Sequence, residues 1–263
     1  MKLTIEQTVQ TLRRGCLTVY EQLSIATPAL AVPLTVEPAC DLTPHELAQL
    51  QVTAVVFEAQ QVLARPGAQV IAQQGGLARW ACLTGLTIVD CGDVAMSPVL
   101  RYRSPYDGRY LTWDEAQLAQ VKQQLDAHVW VVGSQVWEPA TLSLRYATVT
   151  TDWEAFVTAV EQGNDLIYCS LPHRWASDGR LVIGPNQWID ISQAQYATDQ
   201  QPVSVQCPCL GCQQYSRAYL YQLHQQGLAF GKRLNLIHNL QYFIDVMQNL
   251  RNCLEQGKLP ILR

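Results

Sequence analysis

Three cysteines crowd into six residues, Cys207-Pro208-Cys209-Leu210-Gly211-Cys212. Thiolates select zinc, which takes four ligands in a tetrahedron, so a fourth donor is required. Pro208 and Gly211 allow the chain to fold back so that the three sulfurs face one point. His238 is the best fourth donor, because a helical pattern over residues 214–226 can carry the chain out and back, while His224 and Cys253 compete for the role. The set Cys207, Cys209, Cys212 and His238 points to one structural Zn2+. Four protein ligands leave no open position for an activated water.

The other six cysteines, Cys16, Cys40, Cys82, Cys91, Cys169 and Cys253, are scattered through apolar or turn contexts, as small core residues are in a reducing compartment. With 18 Lys+Arg against 22 Asp+Glu, the net charge of −4 gives no global attraction for a polyanion, so any RNA contact must use a local basic patch. The longest apolar runs, such as residues 54–57 and 129–132, are far shorter than a membrane span, and residues 1–10 lack a basic start followed by an apolar run. A cytoplasmic protein without a membrane partner is expected.

These residues need elements to position them. Short β-rich runs at 30–36, 54–57, 87–90, 129–132, 145–149 and 166–171 alternate with helical patterns, the signature of βα units around a parallel sheet. Helices are predicted over 43–50, where Thr43 caps and Pro44 opens the first turn, over 113–125, and over 152–162 with Gly163 as the stop. A small β-excursion follows the Asp178-Gly179 turn, with segments 180–183 and 187–191. Two helices close the chain, 214–226 and 239–253, joined through 227–237, and Leu240, Phe243, Val246, Met247 and Leu250 form one apolar stripe on the second.

The run from Cys207 to Leu220, with Leu234-Asn-Leu-Ile-His-Asn-Leu240, resembles the zinc subdomain of tRNA-guanine transglycosylases, the queuine/archaeosine tRNA-ribosyltransferase family. Further matches fall in family order: Arg13-Arg-Gly15, Thr27-Pro28, Leu42-Thr-Pro-His-Glu-Leu47, Arg65-Pro-Gly67, Gly75-Gly-Leu77, Asp90 with Gly92, Ser104-Pro-Tyr-Asp-Gly108 and Leu171-Pro-His-Arg174. The resemblance implies a (β/α)8 barrel that exchanges a guanine in tRNA for a 7-deazaguanine base. It implies an aspartate nucleophile, a second aspartate for acid/base exchange, and loops at the C-terminal face of the barrel that hold base and phosphate.

This sequence departs from that pattern at the chemistry. The family's Phe-Asp-Cys-Val-Leu-Pro-Thr-Arg segment matches Ile167 to Arg174, which puts Tyr168 at the nucleophile position. A phenol, with a reference pKa of about 10, is a poor replacement for a carboxylate that must attack an anomeric carbon and then leave. The base-reading Asp-Ser-Gly-Gly-Phe-Gln matches Asp90-Cys91-Gly92-Asp93-Val94-Ala95, so Asp90 survives and the stacking aromatic becomes Val94. A further base-binding aspartate matches Gly133, and two family strands are missing between Gly133 and Arg145.

The expected fold is therefore α/β, a TIM-barrel-like region over 1–200 reduced to an incomplete (βα)6 form, followed by a zinc-binding helical subdomain over 201–263. Open sheet edges at the gap would favour a homo- or heterodimer. The expected function is a non-catalytic subunit or RNA- and base-binding paralogue, with Asp90 and Arg174 as base and RNA contacts and with tRNA and a catalytic transglycosylase subunit as partners. The alternatives are an enzyme that uses Asp90 with a non-standard nucleophile, and a scaffold for protein interaction only.

Overall fold

The computed structural model describes residues 1–34, 42–92, 100–139 and 142–260. An antiparallel sheet opens the chain, β1 (Lys2–Val9), β2 (Leu12–Tyr20) and β3 (Leu23–Thr27). The chain then enters a seven-stranded sheet at β4 (Ala29–Pro33) and continues through α1 (Pro44–Gln49) and β5 (Ala54–Glu58). Three short helices, α2 (Ala59–Ala64), α3 (Ala68–Gln73) and α4 (Leu77–Trp80), lead to β6 (Leu86–Asp90). A separate two-stranded ribbon, β7 (Leu100–Arg103) and β8 (Tyr110–Trp113), precedes α5 (Glu115–Leu125) and β9 (Val129–Val132). After β10 (Gln135–Glu138) come β11 (Tyr146–Val149), α6 (Trp153–Glu161), β12 (Leu166–Cys169) and α7 (Leu171–Ser177). A hairpin of β13 (Arg180–Gly184) and β14 (Gln187–Asp190), then α8 (Leu210–Gln214), α9 (Arg217–Gln225) and α10 (Ala229–Glu255), complete the chain.

The large sheet runs β10-β9-β6-β5-β4-β12-β11 and curls into a nearly closed barrel. The strands β4, β5, β6, β9, β11 and β12 are mutually parallel and fall on the six predicted runs, whereas β10 pairs antiparallel with β9. Alternation along each strand sorts the side chains into two layers. Ala31, Ala54, Val56, Leu86, Ile88, Val131, Leu166 and Tyr168 fill the inside of the barrel, while Val55, Phe57, Val89, Ile167 and Cys169 pack outward under the helices. Leu17 and Ile25 of the N-terminal sheet join the inner layer and stopper the end where the strands begin. Arg13 of β2 is tied to the same end by an ion pair with the buried Asp165.

Five expectations require correction. The predicted helix over 113–125 begins at Glu115, because Asp114 forms the capping box with Gln117 and residues up to Trp113 belong to β8. The strand at 166–171 stops at Cys169, since Leu171 with Pro172 starts α7. The helix over 214–226 is two helices broken at Tyr215, where Ser216 caps α9. The segment 227–237 is largely helical, so α10 is one element of 27 residues and His238 lies inside it. The strand at 30–36 ends at Pro33, and residues 35 and 36 lie outside the described residues, as do Cys40, Asp93, Val94 and Ala95.

Among the described residues no helix is long and apolar enough to cross a membrane.

Candidate functional site

The cysteine cluster is assembled by three elements. Cys207 precedes α8, Cys209 is its N-cap, and Cys212 lies within it, with the Cys212 N–H donating to the Cys209 sulfur at 3.4 Å. His238 comes from the middle of α10, its Nδ1 standing 3.2 Å from Cys212 Sγ and 3.8 Å from Cys209 Sγ. One donor atom from each of Cys207, Cys209, Cys212 and His238 lies within 4.8 Å of the other three. Tetrahedral zinc, with Zn–S about 2.3 Å and Zn–N about 2.0 Å, separates nitrogen from sulfur by about 3.5 Å, which the two observed distances bracket. The competing donors lie elsewhere: the His224 ring packs on Gly179, and Cys253 is not in the cluster.

The imidazole is also oriented for this task. Nε2 donates to the Val182 carbonyl at 2.8 Å, which leaves Nδ1 as the lone-pair nitrogen facing the sulfurs. Such an outer partner commonly fixes the tautomer of a ligating histidine. Next to it, Asn239 accepts from Val182 N–H at 3.0 Å and donates to the Arg180 carbonyl at 2.9 Å, so β13 is bolted to α10 on both sides of the ligand. Hydrogen bonds among the three thiols hold Cys212 below its ordinary range and push Cys209 above it, so the cluster shares its protons.

A second constellation occupies the end of the barrel where the parallel strands finish. A cleft of about 360 Å³ is lined by Glu58, Gln60, Asp90, Cys91, Gly92, Tyr102, Thr148, Thr150 and Tyr168. Period-two alternation brings Glu58, Asp90, Thr148 and Tyr168 to the same face from four strands, with Glu58 and Asp90 paired in register on β5 and β6. Asp90 is held in place: one carboxylate oxygen accepts from Gly92 N–H at 2.7 Å and the other from the Tyr146 hydroxyl at 3.1 Å. Burial and the nearby Asp90 charge push the Tyr146 phenol far up, so it serves as a proton donor to the carboxylate.

Tyr168 is nearly buried, and burial together with the charge of Glu58, to which it hydrogen-bonds, raises its phenol well above the ordinary value. It is protonated at neutral pH and therefore a poor nucleophile. Cys169 points away from the cleft into the helix-facing layer, where burial pushes its thiol up to about 12. His173 on α7 is depressed to about 4 by burial, and its Nδ1 has no hydrogen-bond partner among the described residues. No Cys-His pair of the nucleophilic kind forms here. The Arg174 guanidinium donates to the carbonyls of Thr150 and Thr151 beside the cleft.

Asp90 and Tyr168 thus share one cleft, Arg174 braces its rim, and the cysteine cluster stands apart from it in the C-terminal elements. Sequence reasoning missed Glu58 and Tyr146, which gain meaning only when the strands come into register. The available signal was their placement at or near the ends of β-rich runs.

The queuine tRNA-ribosyltransferase family model matches residues 9–152 and 141–263, nearly the whole chain. The chain belongs to the queuine tRNA-ribosyltransferase (tRNA-guanine transglycosylase) family. Similar proteins include the queuine tRNA-ribosyltransferase of Herminiimonas arsenicoxydans, 38% identical over 108 residues, which is 41% of this chain and 28% of that protein. That of Desulforapulum autotrophicum is 38% identical over 105 residues, covering 40% of this chain and 28% of the relative. That of Chromobacterium violaceum is 38% identical over 112 residues, covering 42% and 29%. The aligned part spans less than a third of the length of these relatives. The mixed α/β barrel-like sheet and the Cys3His cluster in the C-terminal region agree with this membership.

Proposed function

We propose that this chain is a transglycosylase-family protein that binds a guanine-type base in the barrel cleft without the family's covalent exchange, acting as a non-catalytic subunit or RNA- and base-binding paralogue in tRNA queuosine/7-deazaguanine modification in the cytoplasm. The observation that carries this reading is Tyr168: a protonated, nearly buried phenol stands where the resemblance puts the nucleophilic carboxylate. Asp90, oriented by Tyr146 and Gly92, is the acceptor for the N–H edge of a purine. Arg174 is the rim contact to RNA. tRNA and a catalytic transglycosylase subunit are the partners, and the chain works as a homo- or heterodimer. The test is exchange of labelled guanine into tRNA by the purified protein, alone and with a transglycosylase recovered from the same cell. The reading expects no exchange alone and co-purification of the partner or tRNA; exchange by the chain alone contradicts it.

A second reading rests on Glu58. Its carboxylate stands in register with Asp90 in the same cleft, so two carboxylates are available for chemistry at a glycosidic bond of a deazapurine nucleoside, with Glu58 as the non-standard nucleophile. This reading expects base release or exchange that Glu58→Gln and Asp90→Asn each abolish. A chain that serves only as a protein scaffold would bind none of guanine, 7-deazaguanines or tRNA in calorimetry.

The architecture we propose is an incomplete (βα)6 reduction of a (β/α)8 barrel over 1–200 and a zinc subdomain over 201–263. Cys207, Cys209, Cys212 and His238 hold one structural Zn2+, supported by the donor spacing and the Val182 contact to His238. Zinc would tie α8 to α10 and contribute folding energy rather than chemistry.

A further inference from the structure

The net charge of −4 demands that any nucleic-acid contact be local, and the β7–β8 ribbon concentrates cationic and aromatic groups. Its inner face carries Leu100 and Tyr102, which are buried, and Trp113, which packs on the core. Its outer face carries Arg101, Arg103, Tyr110 and Thr112, with Arg101 opposite Thr112 and Arg103 opposite Tyr110 across the ladder. The Arg101 guanidinium lies 3.9 Å from the centre of the Tyr110 ring, and Tyr110 is 60% exposed. At the turn, the Arg65 guanidinium lies 4.4 Å over Tyr106, and Arg109 stands exposed beside it in the sequence of the turn. The acidic groups nearby are Asp107, which lies 3.7 Å from Arg109, and Asp114 and Glu115 at the start of α5.

We infer that the outer face of this ribbon binds single-stranded nucleic acid and presents it to the barrel cleft. Guanidinium groups held against tyrosine rings offer charge to phosphates and flat faces to bases, the combination that binds single strands without reading sequence. The ribbon is continuous with the cleft: the Gln60 amide donates to the Arg103 carbonyl at 2.7 Å, the Tyr102 hydroxyl donates to the Cys91 carbonyl at 3.0 Å, and Gln60, Tyr102 and Cys91 all line the cleft. The two surfaces divide the ligand by charge. None of the described residues lining the cleft is Lys or Arg, and Glu58 and Asp90 repel phosphate there, so the cleft admits a base while the backbone stays on the ribbon. The cleft end of this inference rests on the base-binding reading above; the ribbon end does not.

The test is fluorescence anisotropy with a labelled single-stranded RNA of about 12 nucleotides and a DNA of the same sequence, using the full chain, Arg101→Glu/Arg103→Glu and Tyr110→Ala. The double charge reversal is expected to weaken RNA binding at least about tenfold and to flatten the salt dependence by more than one power of the salt concentration. Tyr110→Ala is expected to weaken it about fivefold or more through lost stacking. Circular dichroism and the calorimetric binding of free guanine are expected to stay as in the parent. Equal binding of RNA and DNA supports a reader of backbone and stacking, and tighter RNA binding supports added 2′-hydroxyl contacts. Absence of binding by the parent, affinity of the double variant within about twofold of the parent, or equal binding of polyglutamate would overturn the inference. Loss of guanine binding with RNA binding intact would count against the base-binding reading alone.

Discussion

Asp90 shows how a single residue can be kept ready without a partner carboxylate at position 168. Its two oxygens are already committed to Gly92 N–H and the Tyr146 hydroxyl, so its orientation is fixed before a ligand arrives. Tyr146→Phe removes one of these bonds and keeps the ring that fills the barrel interior. It is expected to weaken guanine binding by about 1 kcal/mol, roughly fivefold, in calorimetry while leaving stability nearly unchanged. His173 gives a pH dependence. Its folded pKa of about 4 lies below the ordinary value of 6.5, so the unfolded chain takes up the extra proton between those limits. Stability from this group is present above about pH 6.5 and is lost as pH falls toward 4, by at most about 3 kcal/mol, in urea titrations run across that window. His173→Gln should flatten the slope. The three cysteines were legible from sequence because their spacing has few other physical meanings. Glu58 was not, because a lone carboxylate after an apolar run is also what a solvated strand end looks like.

At the scale of elements, α10 ties the cysteine cluster to the barrel, packing on α7, β13, β4 and the N-terminal sheet. Read from sequence, residues 227–237 join two helices, His238 sits just before the second and Asn239 opens it. In the folded chain Gly231, Asn235, His238 and Asn239 are interior positions: Gly231 allows α9 to cross closely, since a Cβ there would meet Leu223 Cβ at 2.7 Å, and Asn235 and Asn239 satisfy carbonyls of α7 and of the segment entering β13. Periodicity weighs residues by hydrophobicity and is blind to polar side chains whose partners come from distant elements, which is why the helix was cut short. Asn239→Ala leaves several buried groups unpaired and is expected to cost about 2–4 kcal/mol in chemical denaturation, against less than about 1 kcal/mol for an exposed control such as Asn249→Ala. The N-terminal sheet was illegible for a different reason. Most of β1 is exposed, the alternation of Leu3 and Ile5 breaks off at a bulge before Gln7, and its strands are held chiefly by pairing with β2. The α6 stop was legible, because Gly163 has φ near +75° and a Cβ would fall 2.0 Å from the Thr11 carbonyl oxygen. Gly163→Ala is expected to destabilise by about 1–3 kcal/mol.

For the whole molecule, the gap between Gly133 and Arg145 is partly filled from within: β10 turns back antiparallel on β9 and approaches β11 without joining its ladder. Among the described residues, the facing edges of β10 and β11 share no ladder. The C-terminal elements stabilise the barrel from outside, with α10 running from the cysteine cluster past β13 and α7 to β4 and the N-terminal sheet. Chelation of the purified protein, or Cys212→Ala, is expected to remove one zinc per chain by elemental analysis and to lower the melting temperature by about 10 °C or more. Loss of the metal with no change in melting would contradict a structural role. The central claim is that the cleft binds a guanine-type base although a tyrosine, Tyr168, stands where the resemblance puts the nucleophile. Calorimetric titration of guanine into the parent chain and Asp90→Asn tests it most directly: saturable one-to-one binding that the substitution abolishes is expected, and either no binding by the parent or unchanged binding by the variant would contradict it.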